Sequence, residues 1–200
     1  LFFKNVAPND TAAILFSSGS EGAPKGVELT HSNIAANAKQ AAIAMEAIST
    51  DVVMSTLPTF HAFGFAVTTL MPLTEGVPIV CHPDPTDVAT IAAGIEKYHG
   101  TILVGTPTFL RLYSINKKVS SESMQSLRLI FAGAEKLRNE VRNTFEAKFN
   151  KEICEGYGTT ETSPAVSINL PPNTSGPRAK IGTVGRTLEG TDFKIVDPDS

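Results

Sequence analysis

Short apolar runs alternate with longer stretches of helical periodicity along most of the chain. The apolar runs predict β-strands, because they are short, continuous and bounded by turn residues. The predicted strands cover residues 12–16, 52–57, 78–81, 101–104, 127–132 and 152–155. Apolar residues recur at three- and four-residue steps in the segments 32–48, 86–99 and 138–149, which predicts helices. The first helix carries an apolar stripe of Ile34, Ala38, Ala41, Met45 and Ile48.

This order of elements predicts an α/β fold, a mainly parallel sheet with helices on both faces. We expect residues 1–170 to form the α/β core and residues 171–200 to form a loop and the first strand of a β subdomain. Segment 192–196 alternates like a strand and then meets a turn, and the chain opens without a Met, so we expect a fragment of a longer protein. Ligands of parallel sheets bind beyond the carboxyl ends of the strands, which makes the loops there the candidate sites.

Composition narrows the range of partners. The chain has 17 basic and 20 acidic residues, a net charge of −3, and no dense basic run that could follow a nucleic acid backbone. Cys81 and Cys154 stand alone, which argues against a metal cluster or a disulfide framework and favours a reducing cytoplasm. The apolar runs are too short to span a bilayer. We therefore expect a cytoplasmic globular protein without a nucleic acid partner.

The first candidate loop is SSGSEGAPKG at residues 17–26, directly after a predicted strand. Its glycines allow close backbone approach to an anion, and its serines and lysine add donors and positive charge. The candidate phosphate ligands are Ser17, Ser18, Gly19, Ser20, Gly22 and Lys25. A flexible surface loop is the alternative. A Walker-type loop is disfavoured, because Lys25 is followed by Gly26 and the chain extends through 27–29 before a helix begins.

The second candidate loop is EGYGTTE at residues 155–161. Glycines on both sides of Tyr157 leave space for a flat ligand, Thr160 offers a hydroxyl and Glu161 offers a carboxylate oxygen for Mg²⁺. The candidate nucleotide-binding residues are Gly156, Tyr157, Gly158, Thr159 and Thr160. An ordinary tight turn with a half-buried tyrosine is the alternative.

The third candidate loop is PTFH at residues 58–61, which begins a helix-like apolar run. Phe60 and His61 at the mouth of an apolar channel would suit a carboxylate with an apolar tail. We expect the depth of that channel to depend on how residues 60–73 pack against residues 102–112. A structural role for His61 is the alternative.

Two further segments give weaker signals. Gly133, Ala134 and Glu135 follow a predicted strand and can present backbone groups to the edge of a base. The sequence GTVG at residues 182–185 predicts a turn.

Taken together, these segments resemble the adenylate-forming (AMP-binding) superfamily of acyl-CoA synthetases, luciferases and peptide-synthetase adenylation domains. The segments 17–26, 58–61, 133–135, 156–161 and 182–185 occur in the family order and span nearly the whole chain. Four stretches are most similar to the activating half of bifunctional acyl-[acyl-carrier-protein] synthetase/2-acylglycerophosphoethanolamine acyltransferases. They are SGSEG at 18–22, VGTPTFL at 104–110, AGAEKL at 132–137 and VSIN at 166–169. Amino-acid-activating relatives carry an Asp soon after a Phe in the region of Phe60, whereas His61 stands here, which favours an uncharged acyl chain.

The resemblance implies Mg²⁺- and ATP-dependent conversion of a fatty or related carboxylate to an acyl-AMP, followed by transfer to the thiol of coenzyme A or of acyl carrier protein phosphopantetheine. It implies that Ser17, Ser18, Ser20 and Lys25 hold the β- and γ-phosphates, Thr160 the α-phosphate and Glu161 the Mg²⁺. By the same resemblance Tyr157 flanks adenine, the backbone of Gly133, Ala134 and Glu135 meets the edge of the base, and His61 lies near the acyl carboxylate.

Members of this superfamily complete the site with a ribose-binding Asp and with a Lys on a mobile C-terminal domain. Both lie beyond residue 200, so we expect this segment alone to be inactive. The resemblance allows a parent enzyme in the cytoplasm or at the inner face of the membrane. A nucleotide-binding module without turnover and an aryl- or other acyl-CoA ligase of the same superfamily are the alternatives.

Overall fold

The protein is a mainly parallel sheet flanked by helices, described by a computed structural model over residues 5–17, 23–170 and 180–197. The strands are β1 (Thr11–Ser17), β2 (Lys25–Thr30), β3 (Val53–Ser55), β4 (Ile79–Cys81), β5 (Ile102–Gly105), β6 (Leu129–Ala132), β7 (Cys154–Gly158), β8 (Ala165–Asn169) and β9 (Arg186–Thr187). The α-helices are α1 (His31–Ala44), α2 (Ala62–Phe65), α3 (Met71–Glu75), α4 (Val88–Tyr98), α5 (Pro107–Ile115) and α6 (Asn139–Phe149). A π-helical segment, Ala66–Leu70, joins α2 to α3, and 3₁₀ turns cover Glu122–Met124 and Thr160–Thr162.

The main sheet has the strand order β4-β3-β5-β6-β7-β8-β9. Strands β3 to β7 pair in parallel, and β8 and β9 add antiparallel pairs at one edge. Successive residues of β5 enter two apolar clusters: Leu103 packs with α4, α5 and α6, while Ile102 and Val104 pack with α1 and α3. Burial on both faces explains why the strands read as continuous apolar runs, and it confirms the predicted α/β class. Every helix in the described segments falls short of the length and apolarity that a bilayer span requires.

Strand β1 does not join the main sheet, contrary to the prediction made from segment 12–16. It pairs with β2 in a separate antiparallel sheet. The length of the connection explains the antiparallel pairing. Residues 18–24 alone lie between the two strands, and a parallel crossover needs about a dozen residues or more.

Helix α1 begins at a capping box. The hydroxyl of Thr30 accepts a hydrogen bond from the backbone N–H of Asn33 at 3.1 Å, and Oδ1 of Asn33 accepts one from the N–H of Thr30 at 3.1 Å. The helix ends at Ala44, before the predicted limit of residue 48, and Ile48 is more than half exposed. The predicted stripe is otherwise buried, at Ile34, Ala38, Ala41 and Met45.

Two predictions near the end of the chain were wrong. Segment 192–196 forms no strand, because no neighbouring strand within the described residues pairs with it; Phe193 and Ile195 remain exposed. Strand β7 runs to Gly158 rather than ending at residue 155, because β8 pairs with it through Tyr157 and Gly158. The predicted loop 171–179 lies outside the described residues.

An ion pair between buried Asp51 and exposed Arg128 joins the amino ends of three central strands. Asp51 precedes β3, Thr101 precedes β5 and Arg128 precedes β6. The Asp51 carboxylate accepts hydrogen bonds from Arg128 Nε at 2.7 Å, from Arg128 Nη2, and from Thr101 Oγ1 at 2.7 Å. This network lies at the edge of the parallel sheet opposite to the carboxyl ends of its strands.

Candidate functional site

A cleft with apolar walls opens where the carboxyl ends of β6 and β7 face α1 and α2. We call it the apolar cleft, and its walls include Ala41, Met45, Phe63, Val67 and Phe131. Its cavity volume is about 80 Å³, below the roughly 300 Å³ at which typical small-molecule sites begin. Among the residues that the structure describes, no Lys, Arg, Asp or Glu lines it. The cleft therefore suits an uncharged, apolar group.

Three of the segments predicted from the sequence meet in this cleft. His61, the Gly133–Ala134 pair and residues 156–160 all line it. His61 also caps α2, since its Nδ1 accepts the backbone N–H of Phe63 at 3.3 Å. The structural and functional interpretations of His61 are thus compatible, because the cap fixes the ring and leaves Nε2 for another partner.

The expected walls of the channel were partly wrong. Phe60 is 81% exposed and does not line the cleft, because the chain turns so that Phe63 faces inward instead. Residues 102–112 do not line it, although Val104 shares an apolar cluster with Val67 as the expected packing requires.

The cleft wall comes instead from Ala41 of α1 and from Met45, the residue that caps this helix at its carboxyl end. Sequence reasoning placed both residues on the apolar stripe of α1 and did not assign them to a site. Within a buried stripe, nothing in the pattern separates a side chain that fills the core from one that borders a cleft.

A second cleft lies on the other side of the β7 wall. We call it the glycine cleft, and it is lined by residues 134–137, residues 155–158, Gly182 and Val184. The predicted turn 182–185 is present: Gly182 and Gly185 both have positive φ, and a Cβ on Gly185 would lie 2.1 Å from the carbonyl oxygen of Ile168. Residues 134 and 156–158 border both clefts. Strand β7 is thus a shared wall.

Two aromatic rings and an ion pair support this wall. The ring of Tyr157 is partly exposed and meets the edge of Phe193, with ring centroids 6.3 Å apart. Beneath it, the buried carboxylate of Glu155 lies 3.3 Å from Nη2 of Arg142, which reaches across from α6. Both contacts lie on the side of β7 from which Glu155 and Tyr157 project, and Tyr157 keeps 42% exposure.

The two glycines that flank Tyr157 have different physical roles. A Cβ on Gly158 would lie 1.7 Å from the carbonyl oxygen of Pro164, so glycine is required there for packing against β8. A Cβ on Gly156 would meet nothing closer than 3.7 Å. Glycine at position 156 therefore leaves space in the clefts, whereas glycine at position 158 is needed for the close packing of β7 against the start of β8.

The first and second candidate loops converge beside these clefts. Ser17 Oγ donates a hydrogen bond to Glu161 Oε1 at 3.3 Å, although the two residues are 144 positions apart. Lys25 is the register partner of Ser17 in the β1–β2 pair. Residues Ser18, Gly19, Ser20 and Gly22 lie outside the described residues.

Glu161 is held in its ionised form. The pKa of its carboxyl group lies below the ordinary value, chiefly because the carboxylate accepts a hydrogen bond from its own backbone N–H. The hydroxyls of Thr159 and Ser17 and the positive charge of Lys25 lower it further. No group of three or more His, Cys, Asp or Glu side chains in the described segments could hold a metal ion. A metal at Glu161 would need oxygen ligands from a substrate and from water.

Comparison with known proteins adds independent observations. The profile of the AMP-binding enzyme family matches residues 3–200. The chain is 31% identical over 200 residues to 4-coumarate–CoA ligase 1 of Solanum tuberosum, and this match covers 98% of the chain and 36% of that relative. The chain thus spans little more than a third of the length of that relative.

Solved structures show the same fold. ATP-bound MatB from Rhodopseudomonas palustris superimposes with a TM-score of 0.83 at 27% identity, covering 98% of this chain and 37% of that one. A malonyl-CoA ligase in a ternary product complex with methylmalonyl-CoA and AMP gives a TM-score of 0.83 at 25% identity, covering 99% and 43%.

Proposed function

The chain belongs to the AMP-binding enzyme family, and from this membership we propose that it forms the ATP and carboxylate sites of an acid–thiol ligase acting on a fatty or related apolar acid. The observation that carries the proposal is the hydrogen bond between Ser17 and Glu161. It joins the two loops to which we assign the triphosphate, and both loops lie beside the apolar cleft.

The triphosphate is assigned to the β1–β2 turn and to the 3₁₀ turn after β7. Lys25 and the hydroxyls of Ser17, Ser18 and Ser20 bind the β- and γ-phosphates, and Thr160 donates to the α-phosphate. Positive charge and preorganised donors at these positions stabilise the charge that develops on the leaving group.

Glu161 fits a magnesium site, because it is exposed, is held ionised and, within the part of the chain that the structure describes, has no competing cluster of protein ligands around it. Mg²⁺ is commonly bound by one or two carboxylates together with substrate phosphates. When bound, the ion neutralises phosphate charge.

The adenine base is assigned to the glycine cleft. The face of Tyr157 provides a stacking surface there, and the backbone of residues 133–135 meets the edge of the base. Tyr157 also borders the apolar cleft, so base and acid lie on two sides of one strand.

The acid lies in the apolar cleft with its carboxylate near His61. A carboxylate oxygen attacks the α-phosphorus in line and forms a new P–O bond. The bond from that phosphorus to the bridging oxygen breaks, and pyrophosphate leaves with the electron pair. The protein contributes chiefly by holding the two reactants in this geometry.

The lining of the apolar cleft favours one class of acid. A dicarboxylate or an amino acid would bring a second charge into a cleft whose described walls carry no charged side chain. A fatty acid suits these apolar walls. An aryl acid is the second candidate, because Phe63 and Phe131 offer aromatic surface and a relative with 31% sequence identity is a 4-coumarate–CoA ligase. Coenzyme A is supported as the acceptor by those relatives, while the motif resemblance favours acyl carrier protein.

The test is carboxylate-dependent exchange of radiolabelled pyrophosphate into ATP, measured on the protein at its full natural length. We expect exchange with fatty acids or 4-coumarate and none with malonate or phenylalanine. Thioester formation is then compared with coenzyme A and with acyl carrier protein as acceptors. Exchange that requires malonate or an amino acid would contradict the assigned substrate class. ATP binding without exchange would instead identify a nucleotide-binding module.

A further inference from the structure

Ala134 has an unusual backbone conformation at the place where the apolar cleft and the glycine cleft meet. Its φ is +66°, in the left-handed region that residues with a Cβ rarely occupy. It lines both clefts. Backbone outliers of this kind persist only where surrounding contacts determine them, and they are concentrated at ligand sites. The contacts around Ala134 therefore determine its unusual conformation.

The last residue of β5 and the first turn of α5 hold the two neighbours of Ala134. The N–H of Gly133 donates to the carbonyl oxygen of Gly105 at 3.2 Å. On the other side, Thr108 Oγ1 donates to Glu135 Oε2 at 2.7 Å. Ala134 thus lies between two residues that are hydrogen-bonded to consecutive elements, β5 and α5.

The positions of these contacts are themselves well determined. Thr106 Oγ1 accepts the N–H of Phe109 at 3.3 Å and caps α5, while Pro107 occupies its first position, so the first turn that carries Thr108 is set. On the side of α2, a Cβ on Gly133 would lie 2.7 Å from Cζ of Phe63, which blocks movement of the loop toward that helix.

We infer that Thr108 is a positioning residue for the nucleotide base. Its hydrogen bond to Glu135 keeps Ala134 in the left-handed conformation and so orients the backbone groups of residues 133–135. This inference rests on the proposed function, which assigns those groups to the edge of adenine. Without the hydroxyl, the Glu135 side chain is released and Ala134 can return to an ordinary conformation. Binding of the base then weakens and becomes less selective, while bound ATP reacts at nearly the same rate.

The experiment uses Thr108→Val, which keeps the shape of the side chain and removes its hydroxyl. In pyrophosphate exchange on the full-length protein, we expect the KM for ATP to rise about tenfold and kcat to change by less than about twofold. The preference for ATP over inosine triphosphate, which lacks the 6-amino group, should fall as well. Thr108→Ser should restore both quantities. Thr144→Val is the matched control, because its hydroxyl donates to the Glu140 carbonyl on the exposed face of α6, away from both clefts.

The outcomes separate this inference from the proposed function. Three results would overturn the inference: Thr108→Val has the KM and base preference of the wild type, its kcat falls while its KM does not rise, or Thr108→Ser fails to restore both quantities. In each case, exchange by the wild type would still support the proposed function. No exchange by the wild type with any acid would overturn both. If Thr108→Val does not fold, Glu135→Ala decides by the same two readouts.

Discussion

Replacement of Asp51 by Asn removes the charge that joins the amino ends of β3, β5 and β6. Asp51 is 1% exposed, and its carboxylate accepts from the N–H of Ile48 at 2.9 Å as well as from Thr101 and Arg128. An Asn side chain offers one carbonyl oxygen and turns an NH₂ group toward donors, so at least one donor loses its partner. Arg128 also loses its counter-charge.

The expected cost follows from this geometry. Leaving a buried donor without its acceptor costs about 1 to 3 kcal/mol, and solvent screens the charge left on exposed Arg128, so for a domain of this size the fall in Tm should be roughly 2 to 12 °C. Urea unfolding followed by far-ultraviolet circular dichroism measures the loss. Glu75→Gln is the matched control, because Glu75 pairs with Lys39 at 2.7 Å on the surface and such pairs contribute about 1 kcal/mol or less.

The pH dependence gives a second readout. Burial alone would raise the pKa of Asp51, but hydrogen bonds from Arg128, Ile48 and Thr101 outweigh it and hold the pKa below its ordinary value of 3.8. A carboxyl group with a lowered pKa stabilises the fold fully above its unfolded-state pKa and loses that contribution as the pH falls through its folded-state value. The difference between wild type and variant should be constant above about pH 5 and shrink below about pH 4. A difference below about 1 kcal/mol at pH 7, or one that persists on acidification, would refute the reasoning.

Three further outcomes are expected. Glu161→Gln should lower kcat about a hundredfold and raise the Mg²⁺ concentration needed for half-maximal exchange. Glu140→Gln, on the exposed face of α6, should change neither. In urea unfolding, Gly158→Ala should lower the free energy of unfolding by several kcal/mol, whereas Gly156→Ala should change it by less than about 1 kcal/mol. Gly156→Ala should nevertheless lose exchange activity. An equal loss of stability in the two variants would contradict their different roles. Ala41→Leu should move the preferred acid to shorter chains, with about fourfold in kcat/KM for each methylene that no longer fits. An unchanged optimum across an acid series would exclude Ala41 from the acid site.

The sequence predicted the central sheet because burial on both faces leaves a continuous apolar run, as in β5 and β6. It did not predict the pairing of β1, whose apolar pattern resembles that of the buried strands although Phe16 is 73% exposed. The short connection between β1 and β2 was the feature of the sequence that indicated their antiparallel pairing. For segment 192–196 the sequence predicted a strand that does not form. Alternation of apolar and polar residues is a local property, whereas a strand also requires a neighbouring strand to pair with.

The order of the loops was enough to predict that Ser17 and Glu161 share a site, but no local pattern could give their contact. Ala41 and Met45 were recognised as apolar and not as cleft residues, since the stripe fixes which side of α1 is buried and not what lies opposite. The bond between Thr108 and Glu135 joins two side chains of ordinary type. Only the parallel packing of β5 beside β6 brings them together.

Under the proposed assignment of acid and nucleotide, the shared wall of the two clefts constrains how this protein can change its acid. A substitution in β7 that reshapes one compartment also reshapes the other, so altered selectivity obtained there comes with altered nucleotide affinity. Of the two clefts, helix α1 borders only the apolar cleft. Directed evolution of new acid selectivity should therefore begin at Ala41 and Met45, where the choice of substrate is separable from the use of ATP.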